Sequence, residues 1–200
     1  MNTWLIADTH FCCERLVKNT RPCFPDITTH DCWLMANINS MVGVRDRLYI
    51  IGDFCYRPNN VMSYRKLIKC KDIWLIMGNH DKRSTCELAF GKDLVRDSIT
   101  IKHGPPEDRK LVYLQHFPVA YWDKSHYGSY HAYGHTHSQR EDQLDLAFPQ
   151  RRSKDVGVDQ VYKDHGYYGP ISVETFLDSL KDRAGHDFVN PNQRWKDGMT

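Results

Sequence analysis

Three short apolar runs each break off abruptly into polar residues able to hold a cation or an anion. Thr3-Trp4-Leu5-Ile6-Ala7 ends at Asp8-Thr9-His10, Leu48-Tyr49-Ile50-Ile51 ends at Gly52-Asp53, and Ile73-Trp74-Leu75-Ile76-Met77 ends at Gly78-Asn79-His80-Asp81. Apolar runs of this length bounded by turn formers read as buried strands. Helical patterns separate them. Thr28 or Thr29 could cap a helix running to about Val42, with Trp33, Leu34, Asn37, Ile38 and Met41 at helical spacing. Asn59 or Asn60 could open a second helix through Leu67 and Ile68, and a short one is expected around Thr85 to Phe90. Pro22 and Pro25 break the segment before the first of these. Strands alternating with helices predict parallel pairing.

The second half reads as richer in strands: Ser98 to Lys102, Lys110 to Gln115, Tyr130 to Tyr133 and Asp155 to Val158, with a turn over Gly104-Pro105-Pro106-Glu107-Asp108. Ser172 is placed to cap a helix over Val173 to Lys181. The expected architecture is a mixed α/β sandwich rather than a doubly wound sheet, and the glycine fingerprint of dinucleotide binding is absent. A chain of 200 residues suits one domain, here 1–183, followed by a polar tail over 184–200.

Composition excludes some function classes. Lys and Arg total 27 against 25 Asp and Glu, a net charge of +2. That near-balance argues against a binder driven to nucleic acid by its overall charge. No apolar run is long enough to span a membrane. The stretch Met1 to Asp8 has no basic start, so no signal peptide is expected. The 7 cysteines are odd in number and form no CxxC pair, which predicts reduced thiols and a cytoplasmic protein.

Histidine is the anomaly. Of 11 in the chain, His116, His126, His131, His135 and His137 fall within 22 residues. Two of the second-half strands also end in ligand-type residues, at Gln115-His116 and at Gly134-His135-Thr136-His137. Each signal alone has an ordinary explanation. An Asp after a strand is commonly a turn former, and a single His is commonly a hydrogen-bonded structural residue. Five such endings in order, all Asp, Asn and His, are hard to explain separately. Ligands in open α/β folds bind beyond the carboxyl ends of the strands, so a shared metal site is expected.

The ordered set Asp8-x-His10, Gly52-Asp53, Gly78-Asn79-His80-Asp81, His116 and Gly134-His135-Thr136-His137 resembles the five motifs of the calcineurin-like metallophosphoesterases. Asp8-Thr9-His10-Phe11, together with Val156-Gly157-Val158-Asp159 and Pro170-Ile171-Ser172, is similar to the short bacterial and phage members. The resemblance implies a four-layer α/β/β/α sandwich with two mixed sheets and a dinuclear metal site at the strand ends. It implies that Asp8, His10 and His137 hold one ion, that Asn79, His116 and His135 hold a second, and that Asp53 bridges both. The all N and O donor set admits manganese first, with Fe, Ni, Co or Zn as alternatives. A metal-bridging hydroxide would attack phosphorus in line while the ions clamp phosphoryl oxygens. His80 would contact the phosphate or protonate the leaving oxygen; otherwise it only positions its turn.

The sequence departs from the family in places. In Gly52-Asp53-Phe54-Cys55-Tyr56-Arg57, Tyr56 stands where the protein-phosphatase branch has an Asp that orients the catalytic histidine. Arg57 falls at a matching Arg offset and would grip a phosphate oxygen or stand solvated in its loop. Cys13 replaces a common histidine, and Asp81 stands where some branches have Glu. Tyr121, Trp122, His126, Tyr127, Tyr130 and His131 could stack on a base but are more often packing residues, and Arg151, Arg152 and Lys154 could grip a polyanion or form a solvated edge. The expected activity is a phosphodiesterase acting on a nucleotide, a cyclic nucleotide or a nucleic-acid end. The alternatives are a phosphomonoesterase and a non-catalytic metal-binding scaffold. No membrane partner is expected.

Overall fold

Alternating side chains along the first strands point into two different cores, which is why those runs are apolar throughout. The computed structural model describes residues 1–185; the tail expected over 184–200 therefore lies almost wholly outside the described residues. The strands are β1 (Thr3–Ile6), β2 (Arg47–Ile51), β3 (Asp72–Ile76), β4 (Val95–Arg96), β5 (Ser98–His103), β6 (Lys110–Gln115), β7 (Tyr130–Tyr133), β8 (Ser153–Asp155) and β9 (Ile171–Ser172). The helices are α1 (Glu14–Thr20), α2 (Ile27–Met41), α3 (Val61–Leu67), α4 (Arg83–Phe90), α5 (Glu141–Ala147), α6 (Val158–His165) and α7 (Val173–Asp178). Among the described residues no helix is long and apolar enough to cross a membrane.

The fold is α/β with two mixed sheets. One has the order β4-β3-β2-β1-β9, the other β5-β6-β7-β8. In the first, β1 to β4 run parallel and β9 pairs antiparallel with β1. In the second, β5 and β6 are antiparallel, and β6, β7 and β8 are parallel. Leu5, Tyr49, Ile51 and Ile76 of the first sheet pack with Ile101, Val112, Leu114 and Ala132 of the second. Their neighbours Ile6, Leu48, Ile50, Ile73 and Leu75 face a second core closed by Leu34, Met35 and Ile38 of α2 and by Cys86 and Phe90 of α4. Each such side chain fully buried contributes about 1.5–3 kcal/mol. The carboxyl ends of β1, β2, β3, β6 and β7 deliver the five motifs to one edge.

Several local expectations change. Asp26, not Thr28 or Thr29, caps α2: its Oδ1 accepts from Thr29 N at 2.7 Å. A carboxylate makes the stronger cap, and its charge suits the positive helix end. Helix α1 precedes the Pro22 break. The strand expected over Asp155 to Val158 is β8, and it stops at Asp155, because Val158 begins α6. Val158 and Val161 share the buried face of that helix, and Gly157 and Gly166 bound it. Helix α7 ends at Asp178, earlier than the expected Lys181.

Candidate metal centre

The ligand-type residues sit on turns whose backbone is locally strained. Asp8, His10, Asp53, His135 and His137 all have positive φ, between 46° and 71°. Such conformations cost of order 1–3 kcal/mol each and concentrate at functional sites. Backbone hydrogen bonds hold the turns together. Asp8 N donates to Gly52 O at 3.1 Å and His10 N to Asp53 O at 2.9 Å. Asp81 gathers the next turn: its carboxylate accepts from Asp53 N at 2.8 Å, Gly78 N at 2.9 Å and Phe54 N at 3.1 Å. Asp8 Oδ2 accepts from His135 N at 2.8 Å, which docks the last motif on the first. Gly134 allows this approach, since a Cβ there would meet Asp8 Oδ2 at 2.4 Å and Ala7 Cβ at 2.6 Å.

The side chains converge in two groups, Asp8 with His10 and His137, and Asp53 with His116 and His135. Asn79 joins the second: its Oδ1 lies 3.2 Å from His116 Nε2 and 3.0 Å from His135 Nδ1. Asp53 Oδ2 stands 3.4 Å from both His10 Nε2 and His116 Nε2, so one carboxylate touches both groups. Atoms sharing one ion at bond lengths near 2.1 Å stand about 3 Å apart. The seven residues expected as ligands are thus brought to one place.

The donor chemistry fits divalent cations. His10 is 2% exposed, yet neither ring nitrogen makes a hydrogen bond, and Asp8 Oδ1 also lacks one. A buried polar atom left unsatisfied costs about 1–3 kcal/mol, which coordination would offset. His116 Nδ1 lies 2.8 Å from Ile51 O and His137 Nδ1 lies 2.7 Å from Asp159 Oδ2. If each Nδ1 donates there, each ring presents Nε2 as a lone pair, the usual support for a ligating histidine.

Electrostatics agrees. Burial alone would raise the Asp53 carboxyl, but hydrogen bonding to His116 and the charges of His116 and His10 hold it at about 2. Burial opposes charging of His116, yet Asp53 and Asp8 pull its imidazole up to about 9. His137 is raised against its own burial by Asp159 and Asp8. His135 is lowered by burial and by His116. The two carboxylates thus attract protons to their neighbours, an attraction a cation would answer equally. Metal binding here must release protons.

The remaining expected residues lie around this centre. His80 is exposed, with its ring 5.4 Å from that of His10 and its backbone N donating to Asp53 Oδ1 at 2.9 Å. Tyr56 packs on it at 5.9 Å between ring centres. Arg57 falls in neither ligand group; its exposed guanidinium lies 3.7 Å from Glu14. The expected basic patch is not one. Arg151 is buried against Glu141, Asp145 and Tyr133, Arg152 donates to Arg183 O and Gly128 O, and Lys154 pairs with Asp164. Trp122 and His131 are buried packing residues, while Tyr121 and Tyr127 are exposed. Phe117, half-exposed and 4.7 Å from His135, is an aromatic ring beside the ligands that no motif in the sequence marks. Asp155 likewise supports the site without belonging to a ligand motif. It accepts from Thr136 Oγ1 at 2.5 Å and Gly157 N at 2.6 Å, holding the turn that carries His135 and His137. Burial and the nearby Asp8 raise its carboxyl well above the usual range.

No protein-family model matches the chain. It is 24% identical over 181 residues to MJ1445, an uncharacterized protein of Methanocaldococcus jannaschii, covering 87% of this chain and 88% of that one. Its structure is similar to the crystal structure of AQ665, a protein of unknown function from Aquifex aeolicus, with a TM-score of 0.66, 23% sequence identity, and coverage of 90% of this chain and 98% of that one. At this level of identity the likeness establishes a common fold.

Proposed function

We propose that this chain is a dinuclear metal-dependent phosphoesterase of the calcineurin-like type, built as a four-layer α/β/β/α sandwich, and that it hydrolyses a phosphodiester in a nucleotide, a cyclic nucleotide or a nucleic-acid end. The observation that carries the reading is the Asp53 carboxylate, whose Oδ2 lies 3.4 Å from a histidine of each ligand group. Asp8, His10 and His137 would hold one divalent ion, manganese first among the choices, and Asn79, His116 and His135 the other. The bound ions would supply Lewis-acid stabilisation of the charge that develops on the phosphoryl group.

The chain's own residues do the rest. Ile51 O and Asp159 orient His116 and His137, and Asp81 and Asp155 hold the turns that bear the ligands. His80 stands exposed beside His10, where its imidazole can pass a proton to the leaving oxygen. Tyr56, where an orienting carboxylate would stand in the protein-phosphatase branch, has its ring 5.9 Å from that of His80. The diester reading is favoured by Asp81 at the end of the third motif and by Tyr56 where an orienting Asp would stand, while the exposed Arg57, 3.7 Å from Glu14, would favour a monoester if it clamped a dianionic phosphate. The free cysteines, Cys12 to Cys86, suit a cytoplasmic enzyme.

The test compares bis-p-nitrophenyl phosphate with p-nitrophenyl phosphate on Mn²⁺-loaded protein, with Asp53→Asn as the control for contaminating enzymes. Diester turnover well above monoester, absent in the control, is expected. Monoester preference would move the assignment to a phosphomonoesterase. Absence of both activities with metal bound would leave a narrow substrate range or a scaffold.

A further inference from the structure

We infer that Arg21 is a positioning residue for the first metal group, holding its two halves in register through Asp159; this rests on the two-metal reading above. Arg21 is wholly buried and lies outside every motif that singled out the site. All five of its N–H donors meet acceptors. Nε and one Nη2 hydrogen reach the two oxygens of Asp159, each at 2.8 Å. The second Nη2 hydrogen reaches Asp8 O at 2.7 Å. Nη1 reaches Thr9 O at 3.2 Å and His30 Nε2 at 2.8 Å.

These partners are the supports of the ligands. The carbonyls of Asp8 and Thr9 belong to the strained turn that aims Asp8 and His10. Asp159 Oδ2, which Arg21 holds, is also the atom facing His137 Nδ1 at 2.7 Å. One planar guanidinium therefore locks the Asp8–His10 turn and the His137 ring to each other. Only Arg has five donors in a rigid fork; Lys keeps the charge but loses that geometry.

One hydrogen scheme satisfies the whole chain of contacts. His30 accepts from Arg21 at Nε2 and donates from Nδ1 to Asp31 Oδ1 at 2.8 Å. Burial, aided by the charge of Arg21, pushes the His30 imidazole below its ordinary value, as that neutral form requires. Asp31 Oδ2 then accepts from Tyr64 Oη at 2.6 Å and from Cys12 N at 3.0 Å, the latter again on the Asp8–His10 side. At the other end His137 donates from Nδ1 to Asp159 and keeps Nε2 as its lone pair.

The experiment measures Mn²⁺ stoichiometry and affinity by isothermal titration calorimetry for wild type, Arg21→Lys and Asp159→Asn. Nitrogen-15 NMR reports the His137 tautomer in the metal-free proteins, at a pH high enough for the raised imidazole to be neutral. Wild type should take two ions and carry its proton on Nδ1. Both variants should bind one ion about 10- to 100-fold more weakly, as loss of a ligand's supporting hydrogen bond does, and keep the other within a few fold. Asp159→Asn should also lose the single tautomer. Two ions at wild-type affinity in both variants would overturn the inference. So would equal weakening of both ions, which marks a general structural role, or an Nε2–H tautomer of His137 in wild type. Should Arg21→Lys fail to fold, Asp159→Asn and the wild-type tautomer still decide. A wild type that binds no ion removes the two-metal reading, and the inference with it.

Discussion

Replacing Gly78 by Ala tests whether the site is held by close backbone packing. Its φ is not positive, so alanine meets no conformational penalty there. The space is the obstacle. A Cβ would stand 2.2 Å from Asp53 Oδ1, 2.5 Å from Asp53 N and 2.9 Å from Asp53 Cγ. Real Cβ atoms essentially never approach within 3.0 Å, so something must retreat by about 0.8 Å. Asp53 cannot retreat freely, because its N–H donates to Asp81 Oδ2, the oxygen that also accepts from Gly78 N. Overpacking costs about 1–3 kcal/mol, and one weakened hydrogen bond adds about 1 kcal/mol. A loss of about 2–4 kcal/mol is expected, a large share of the 5–15 kcal/mol typical of a domain. Mn²⁺ affinity should fall with it, since the displaced carboxylate is the one shared by both ligand groups. Gly166→Ala is the control. It has φ of 77° and nothing within 4 Å, so it should lose only about 1 kcal/mol to strain and none of its metal affinity. Urea unfolding of the metal-free proteins, followed by Mn²⁺ titration, reads both effects. A Gly78→Ala protein with the wild-type midpoint and affinity would refute the packing argument, as would two variants that cannot be told apart.

His80→Ala should fold within about 0.5 kcal/mol of wild type, because the side chain is exposed, and should bind Mn²⁺ normally while losing most turnover; wild-type activity removes His80 from the chemistry. Burial, helped by the charge of Arg151, pushes the His131 imidazole down to about 4. Between pH 6.5 and 4 the unfolded chain therefore takes up a proton that the native state refuses. Stability is full above pH 6.5 and should fall by up to roughly 3 kcal/mol across that window; an unchanged pH slope in His131→Gln would refute it. Arg151→Met should cost about 3–5 kcal/mol by leaving Glu141 buried without its partner, and Arg151→Met with Glu141→Leu should recover much of that in a denaturation cycle. Free Mn²⁺ at 100 times the Kd of each of the two sites should stabilise the fold by about 5 kcal/mol, or roughly 10–20 °C in Tm, reversed by a chelator; the shift should shrink sharply in Asp53→Asn.

What could be read along the chain was local. The strands β1, β2 and β3 announce themselves because burial on both faces demands unbroken apolar runs. The ligand residues announce themselves because each follows such a run at once. Helix α6 was missed although Gly157 and Gly166 bound it, since Val156-Gly157-Val158 reads equally as an extended strand end. Asp26 was missed as a cap because two threonines stood nearer the start of the helical pattern.

The sequence by itself determined which residues could be ligands and that they lie at strand ends. The motif resemblance implied a grouping with Asp53 between the two sets; the tertiary structure brings those side chains together, and it alone decided what holds them in place. Arg21 and Asp159 are 138 residues apart, and Asp8 and His135 are 127 apart. Periodicity reports only which side of its own element a residue occupies. The five acceptors around Arg21 come from three separate segments, Asp8-Thr9, His30 and Asp159, and their meeting exists only once two sheets have packed face to face and brought their carboxyl ends to one edge.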